Sequence, residues 1–202
     1  MAEITAEQVK ELRELTGAGM MDCKRALQEA GGDVDKAQEI LRTKGLASHE
    51  KRRGRAANQG RIESYIHFNN TVGTIVEVNC ETDFVANTDE FKQLAKDIAL
   101  HVASPLAPRF VSREAVPKDV ADAERVIYEA QAREMGKPDK VIPDIVEGKV
   151  NAFYEQTVLL DQKFVKDDSR TIQQLLDEVG AKVGENITVR RLTRFRLGEE
   201  SG

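Results

Sequence analysis

The sequence predicts an α+β fold, with a three-helix unit at the N-terminus followed by a core of helices packed on a small antiparallel sheet. Three observations lead there. Helically spaced apolar residues and helix-capping signals run from Thr5 to Gly45. Between Ile62 and Cys80 the apolar residues alternate with polar ones, as in strands. Helical spacing then returns from Asp89 and yields to a strand pattern only at Ile187.

The elements follow in order. Thr5 and Gln8 form a capping-box pattern, Val9, Leu12 and Leu15 continue as an apolar stripe, and Gly17 ends the first helix. After the loop "TGAGM", the residues Met21, Ala26, Leu27 and Ala30 mark a second helix stopped by Gly31 and Gly32. Asp33 is the expected N-cap of a third, carrying Val34, Ala37, Ile40 and Leu41 and closed by Gly45. So small a unit buries little apolar surface and suits a docking module. The stretch "KGLASHEKRRGRAANQG" loses periodicity and gathers Lys51, Arg52, Arg53 and Arg55, which reads as a solvated linker. Next comes an antiparallel hairpin, with Ile62, Ile66 and Phe68 alternating with polar residues, a turn at Asn69 and Asn70, and Val72, Val76, Val78 and Cys80 returning, Cys80 on the inward face. Phe91, Leu94, Ala95, Ile98, Ala99 and Val102 place a helix over Asp89 to Ala103. Further helices are expected over Lys118 to Met135, Lys140 to Phe153 and Thr171 to Val183, and a last strand over Ile187 to Leu197. The expected domains are 1–45, a linker 46–60 and a core 61–202.

Composition narrows the function. The 202 residues include 40% apolar and 32% charged residues with no Trp, and carry a net charge of −5. That describes a soluble, helix-rich chain and argues against a general nucleic-acid binder, which shows a basic excess. No 18-residue apolar stretch is present, and the polar start "MAEITAEQ" is not a secretory signal, so no membrane partner is expected. Cys23 and Cys80 lie apart without metal-ligand spacing and read as buried thiols.

An enzyme is not expected. His49, His67 and His101 are scattered over linker, strand and helix, with no metalloprotease, phosphate-loop or nucleophile-elbow motif and no implied metal or cofactor. Glu81 and Asp83 read as pointing apart and so poorly placed as an acid–base pair. His101, on the inner edge of an apolar helix, reads first as a packing residue. The segment "VNCETDFVANTDEF" suits a contact better: a loop leaving a strand and entering a helix can hold Asp83 and Phe84 toward a partner. Spacing leaves open whether Phe84 points out or caps the core. It also leaves open whether Met20 and Met21 divide between core and surface.

The segments "VKELRELTGAGMMDCKRALQEAGGDVDKAQEILRTKG", "VEVNCETDFVANTDEF", "GKPDKVIPDIVEGKVNAFYEQTVLLDQKFVKDDSRTIQQLL" and "VGENITVRRLTRFRLGE" closely resemble the bacterial elongation factor Ts family over essentially the whole chain. The resemblance implies a guanine-nucleotide exchange factor for elongation factor Tu, working in a bacterial cytoplasm. It implies that the N-terminal helices form a ubiquitin-associated-like fold in which Arg13, Met20 and Met21 dock on the GTPase. It implies that Thr82, Asp83, Phe84 and Val85 work beside the nucleotide and its magnesium, and that the helix holding His101 faces another domain of the GTPase. The chain has room for a single core subdomain, like the family's short forms, so a homodimer is expected. Arg190, Arg191, Arg194 and Arg196 on the last strand read equally well as a charged, self-protecting sheet edge. The competing readings are a binding adaptor using the three-helix unit, which leaves "TDFV" without a role, and an enzyme using Cys80, which needs an exposed, low-pKa thiol.

Overall fold

The computed structural model describes residues 4–16, 18–50, 52 and 54–199, with 45–50 followed as backbone only. Gly17, read as the first helix end, and Lys51 and Arg53 of the basic run lie outside the described residues. Among the described residues there are eight α-helices and five strands. The chain divides into two compact units, one of Met1–Gly60, Asn79–Phe91 and Leu176–Thr188, the other of Arg61–Val78, Lys92–Leu175 and Val189–Gly202. In this division two later segments group with the N-terminal helices.

In the first unit, α1 (Ala6–Thr16), α2 (Met20–Glu29) and α3 (Val34–Glu50) form the expected bundle. The capping box is made: Thr5 N–H donates to Gln8 Oε1 at 3.0 Å and Gln8 N–H to Thr5 Oγ1 at 3.2 Å. Asp33 caps α3 by accepting from Lys36 N–H at 3.1 Å, and that bond holds its carboxyl below the usual range. Val9, Leu12, Cys23, Ala26, Leu27 and Ala37 are buried together. Two expectations are corrected here, for Leu15 and for the end of α3, and the open placement of Met20 and Met21 is answered. Leu15 is exposed, because the buried face of α1 is already complete at Val9 and Leu12. Met20 and Met21 are both exposed: α2 buries Cys23, Ala26 and Leu27, Met21 lies on the far side of that face, and Met20 in the first turn leans off the helix end. Finally, α3 passes through Gly45 to Glu50, so the irregular connection is shorter than the expected linker.

The three-stranded sheet has the order β1-β2-β5, with β1 (Gln59–Ile66), β2 (Val72–Cys80) and β5 (Thr188–Arg196). One face is packed against α5 (Asp89–Ala103), where Thr74 Oγ1 donates to Ala99 O at 2.8 Å and Phe91, Leu94, Ala95, Ile98, Ala99 and Val102 are all buried. The expected alternation in β1 is present, with its apolar residues on the exposed side. Ile62, Ile66 and Phe68 are exposed, while Arg61, Glu63, Tyr65 and His67 are partly covered. A slip of one position exchanges the faces completely, and an edge strand whose polar side chains pair with each other, as Arg61 and Glu63 do at 4.0 Å, can be read either way.

The remaining helices are α6 (Lys118–Glu134), α7 (Ile142–Thr157) and α8 (Ile172–Val183). Helices α6 and α7 pack on one another around Val116, Phe153 and Val158. Between α7 and α8 lies a hairpin absent from the sequence reading, β3 (Lys163–Phe164) paired antiparallel with β4 (Asp167–Thr171). No described helix is long and apolar enough to cross a membrane.

Candidate protein-binding site

Strand β2 ends at Cys80, and the chain turns at once into α4 (Asp83–Ala86), a single helical turn carrying most of the "TDFV" stretch. Thr82 is extended, with φ −125° and ψ 153°, and its Oγ1 accepts from Val85 N–H at 3.3 Å, which is how an N-cap residue satisfies a helix start. At the other end Asn87 Nδ2 donates to Asp83 O at 2.8 Å, and Thr88 Oγ1 donates to Val85 O at 2.8 Å before capping α5 through Phe91 N–H. Val85 and Ala86 are buried; a buried valine side chain contributes about 1.5 kcal/mol or more, enough to seat so short a turn.

With Val85 pinned inside, Asp83 and Phe84 face outward, and Phe84 is 80% exposed. That settles one open question: Phe84 does not cap the core. The four residues thus divide, Thr82 capping, Val85 anchoring, Asp83 and Phe84 presented. Arg13, Met20 and Met21 also lie on the surface, the methionines 59% and 66% exposed with Leu15 exposed as well. Both groups belong to the first unit. Leu15 was missed as a surface residue because its spacing from Leu12 matched a core stripe.

His101 is placed differently. It is fully buried in the last turn of α5, its Nδ1 accepting from Val165 N–H at 3.2 Å. Nε2 is therefore the protonated nitrogen, donating to Gln162 Oε1 at 2.9 Å. Burial pushes its pKa below the ordinary imidazole value, with the Gln162 bond opposing. In this conformation the ring is enclosed by its own chain and fills the packing position that its place on the apolar edge of the helix suggests.

Cys80 is likewise buried, its Sγ–H donating to Thr82 O at 3.1 Å, and burial with the nearby Glu185 carboxylate pushes its pKa up to about 11. Such a thiol stays protonated at neutral pH and lacks the character of a nucleophile. Glu81 is engaged structurally: Oε1 accepts from Asn186 N–H at 2.7 Å and Oε2 faces Arg55 Nη1 at 3.4 Å. No group of three or more metal-ligating side chains occurs among the described residues.

A short capped turn displaying an aromatic ring, together with an exposed methionine pair, gives this chain two surfaces suited to docking on another protein. Residues 2–199 match the family model described as Elongation factor TS. Curated relatives named elongation factor Ts include those of Geobacter metallireducens, 54% identical over 97% of this chain and 90% of the relative, and of Thermoanaerobacter sp. strain X514, 54% identical over 97% and 96%. That of Anaeromyxobacter sp. strain Fw109-5 is 55% identical over 98% and 90%. The chain belongs to the elongation factor Ts family, and its role is that of an elongation factor in translation.

Proposed function

We propose that this chain is a guanine-nucleotide exchange factor for elongation factor Tu. It binds the GDP-loaded and the nucleotide-free GTPase, loosens the magnesium and phosphate site, and so lets GTP enter. The observation that carries the reading is Phe84, a ring held in water on a turn whose cap and buried anchor give it little freedom to fold away. Covering such a ring on a partner returns about 2–3 kcal/mol of apolar transfer energy, available to displace side chains supporting the nucleotide.

A GTPase holds its nucleotide through backbone amides, a lysine and a magnesium ion that share the phosphate charge, so disturbing one weakens the others. Asp83 brings a negative charge beside Phe84 and competes in the polar network around the metal. Arg13, Met20 and Met21 supply docking energy away from the nucleotide. The adaptable methionines suit a surface that must hold while its partner changes shape. No covalent step is involved, and the chain does not act as an enzyme. A factor preferring the empty GTPase lowers nucleotide affinity by the same ratio, and GTP binding expels it by the same linkage.

The working form is a homodimer in the cytoplasm. The sheet face away from α5 carries Ile62, Ile66, Phe68, Ile75, Phe195 and Leu197, all exposed, Phe68 at 86%. Patches of this kind are uncommon on monomers, and a second copy covers it under a twofold axis because like meets like. The arginines at the β5 edge are already engaged, Arg190 and Arg191 by Glu77 and Arg194 and Arg196 by Glu199, which leaves the apolar row to form the contact. The test of the exchange reading is stopped-flow release of a fluorescent GDP from elongation factor Tu, with the parent accelerating release and Asp83→Ala and Phe84→Ala losing the acceleration.

A further inference from the structure

Helix α8 ends at Val183 in a turn that only glycine adopts cheaply. Gly184 has φ +79°, and the amides of Gly184 and Glu185 both return to Gly180 O, at 2.9 and 3.1 Å. The turn aims the Glu185 side chain at the start of the "TDFV" stretch, 104 positions back along the chain. There its Oε2 accepts from Glu81 N–H at 3.0 Å and from Thr82 N–H at 3.1 Å, while Oε1 accepts from Thr82 Oγ1–H at 2.5 Å. Asn186 N–H answers from the other side by donating to Glu81 Oε1 at 2.7 Å, and Asn186 Nδ2 donates to Arg55 O at 2.8 Å.

One carboxylate therefore takes three donors from two successive residues. A hydroxyl has one proton and two lone pairs; giving the proton to Glu185 leaves the Thr82 oxygen turned to accept Val85 N–H, the cap of the turn that presents Asp83 and Phe84. Charge-assisted bonds of this kind are about twice as strong as neutral ones, and each polarises the next.

We propose that Glu185 is the positioning residue of the nucleotide-release turn. It fixes the Thr82 rotor and both backbone amides, so that Phe84 and Asp83 arrive at the GTPase in a single orientation. The proposal rests on the exchange reading above. It predicts that Glu185 sets how fast GDP leaves once the two proteins have met, and not how well they meet, since the Arg13, Met20 and Met21 surface does not involve it. The chemistry also ranks substitutions. In Glu185→Gln the amide oxygen can still accept both backbone N–H groups while the NH₂ can only donate to Thr82 Oγ1, reversing that bond; in Glu185→Ala all three bonds are gone.

The experiment is GDP release from elongation factor Tu, titrated with the full chain and its variants, so that maximal rate and half-saturating concentration are read separately. Glu185→Ala should lower the maximal rate about tenfold, the loss expected for hydrogen bonds to a charged group, with the half-saturating concentration within about twofold of the parent. Glu185→Gln should lie between them. Thr82→Val, which removes one hydroxyl on an exposed residue and does not endanger the fold, should lower the maximal rate in the same sense. Adding it to Glu185→Ala should cost less than the sum of the two single losses, because the two variants share the Glu185–Thr82 hydroxyl bond. If the parent accelerates release and both Glu185→Ala and Thr82→Val keep its maximal rate, the proposal is overturned while the exchange reading stands. The same holds if these variants change only the half-saturating concentration. If the parent leaves GDP release unchanged, the exchange reading fails and takes the proposal with it.

Discussion

Replacing His101 by alanine removes an imidazole that is fully buried and bonded at both nitrogens, to Val165 N–H and to Gln162 Oε1. The ring leaves a cavity among packed neighbours and strands the Val165 amide; Gln162 keeps its bonds to Leu106 O and Gln156 O but loses its donor. Cavity and orphaned groups together should cost about 3–5 kcal/mol of folding stability at pH 7.5, read by urea unfolding. The same residue predicts a pH dependence. Because burial lowers its folded pKa below the ordinary 6.5, the unfolded chain takes up a proton before the folded one does. Stability is thus fully retained above 6.5 and falls with pH below it, down to the folded value, by at most about 1.4 kcal/mol per pH unit for one proton. Asp33, Glu114 and Asp167, whose carboxyls are held below their usual values by hydrogen bonds, lose their contribution only at lower pH, so the His101 loss begins first. The alanine variant should lack the slope just below pH 6.5. A parent whose stability is flat from pH 7.5 to 5, or a variant with the parent's slope, would show that His101 is not the titrating group.

The remaining predictions concern the surfaces and the thiols. With a pKa of about 11 and a buried Sγ, Cys80 should resist a disulfide reagent at pH 8 in the native state and react only on unfolding; rapid native labelling would revive a chemical role. Met20→Lys with Met21→Lys should raise the half-saturating concentration in GDP release at unchanged maximal rate, with stability within about 0.5 kcal/mol per site because both side chains are exposed. Ile66→Asp should convert the dimer to monomer by sedimentation equilibrium, and a parent that is already monomeric at all concentrations contradicts the proposed sheet-to-sheet contact.

Local signals carried much of the fold. Thr5 with Gln8, Asp33 before α3 and the apolar spacing of α5 each act within a few residues, so their structure follows from the chain nearby. What stayed open depended on neighbours distant in sequence. The phase of β1 is set by which side α5 covers, and its polar residues pair along the strand, so alternation alone could not orient Ile62 and Ile66. Gly45 has helix-stopping character, yet α3 continues through it, an override of local propensity. At the site, the spacing of "TDFV" suggested a contact but left Phe84 undecided between core and surface. The division of labour with Val85 emerges only when the turn is built. Glu185 was invisible for the same reason, although it stands in the quoted "VGENI" segment: its three bonds join residues that only the adjacency of β2 and β5 brings together.

In the proposed exchange reaction an exposed ring on a short capped turn drives nucleotide release. The maximal rate of GDP release from elongation factor Tu, with the parent chain and with Phe84→Ala, both at saturation, isolates the ring's contribution. Phe84 is 80% exposed, so the variant should fold with the parent's stability to within about 0.5 kcal/mol. The parent should accelerate release strongly and the variant should lose about tenfold or more of that rate, consistent with removing an interface anchor. Equal rates for the two proteins, or no acceleration by either, would contradict it.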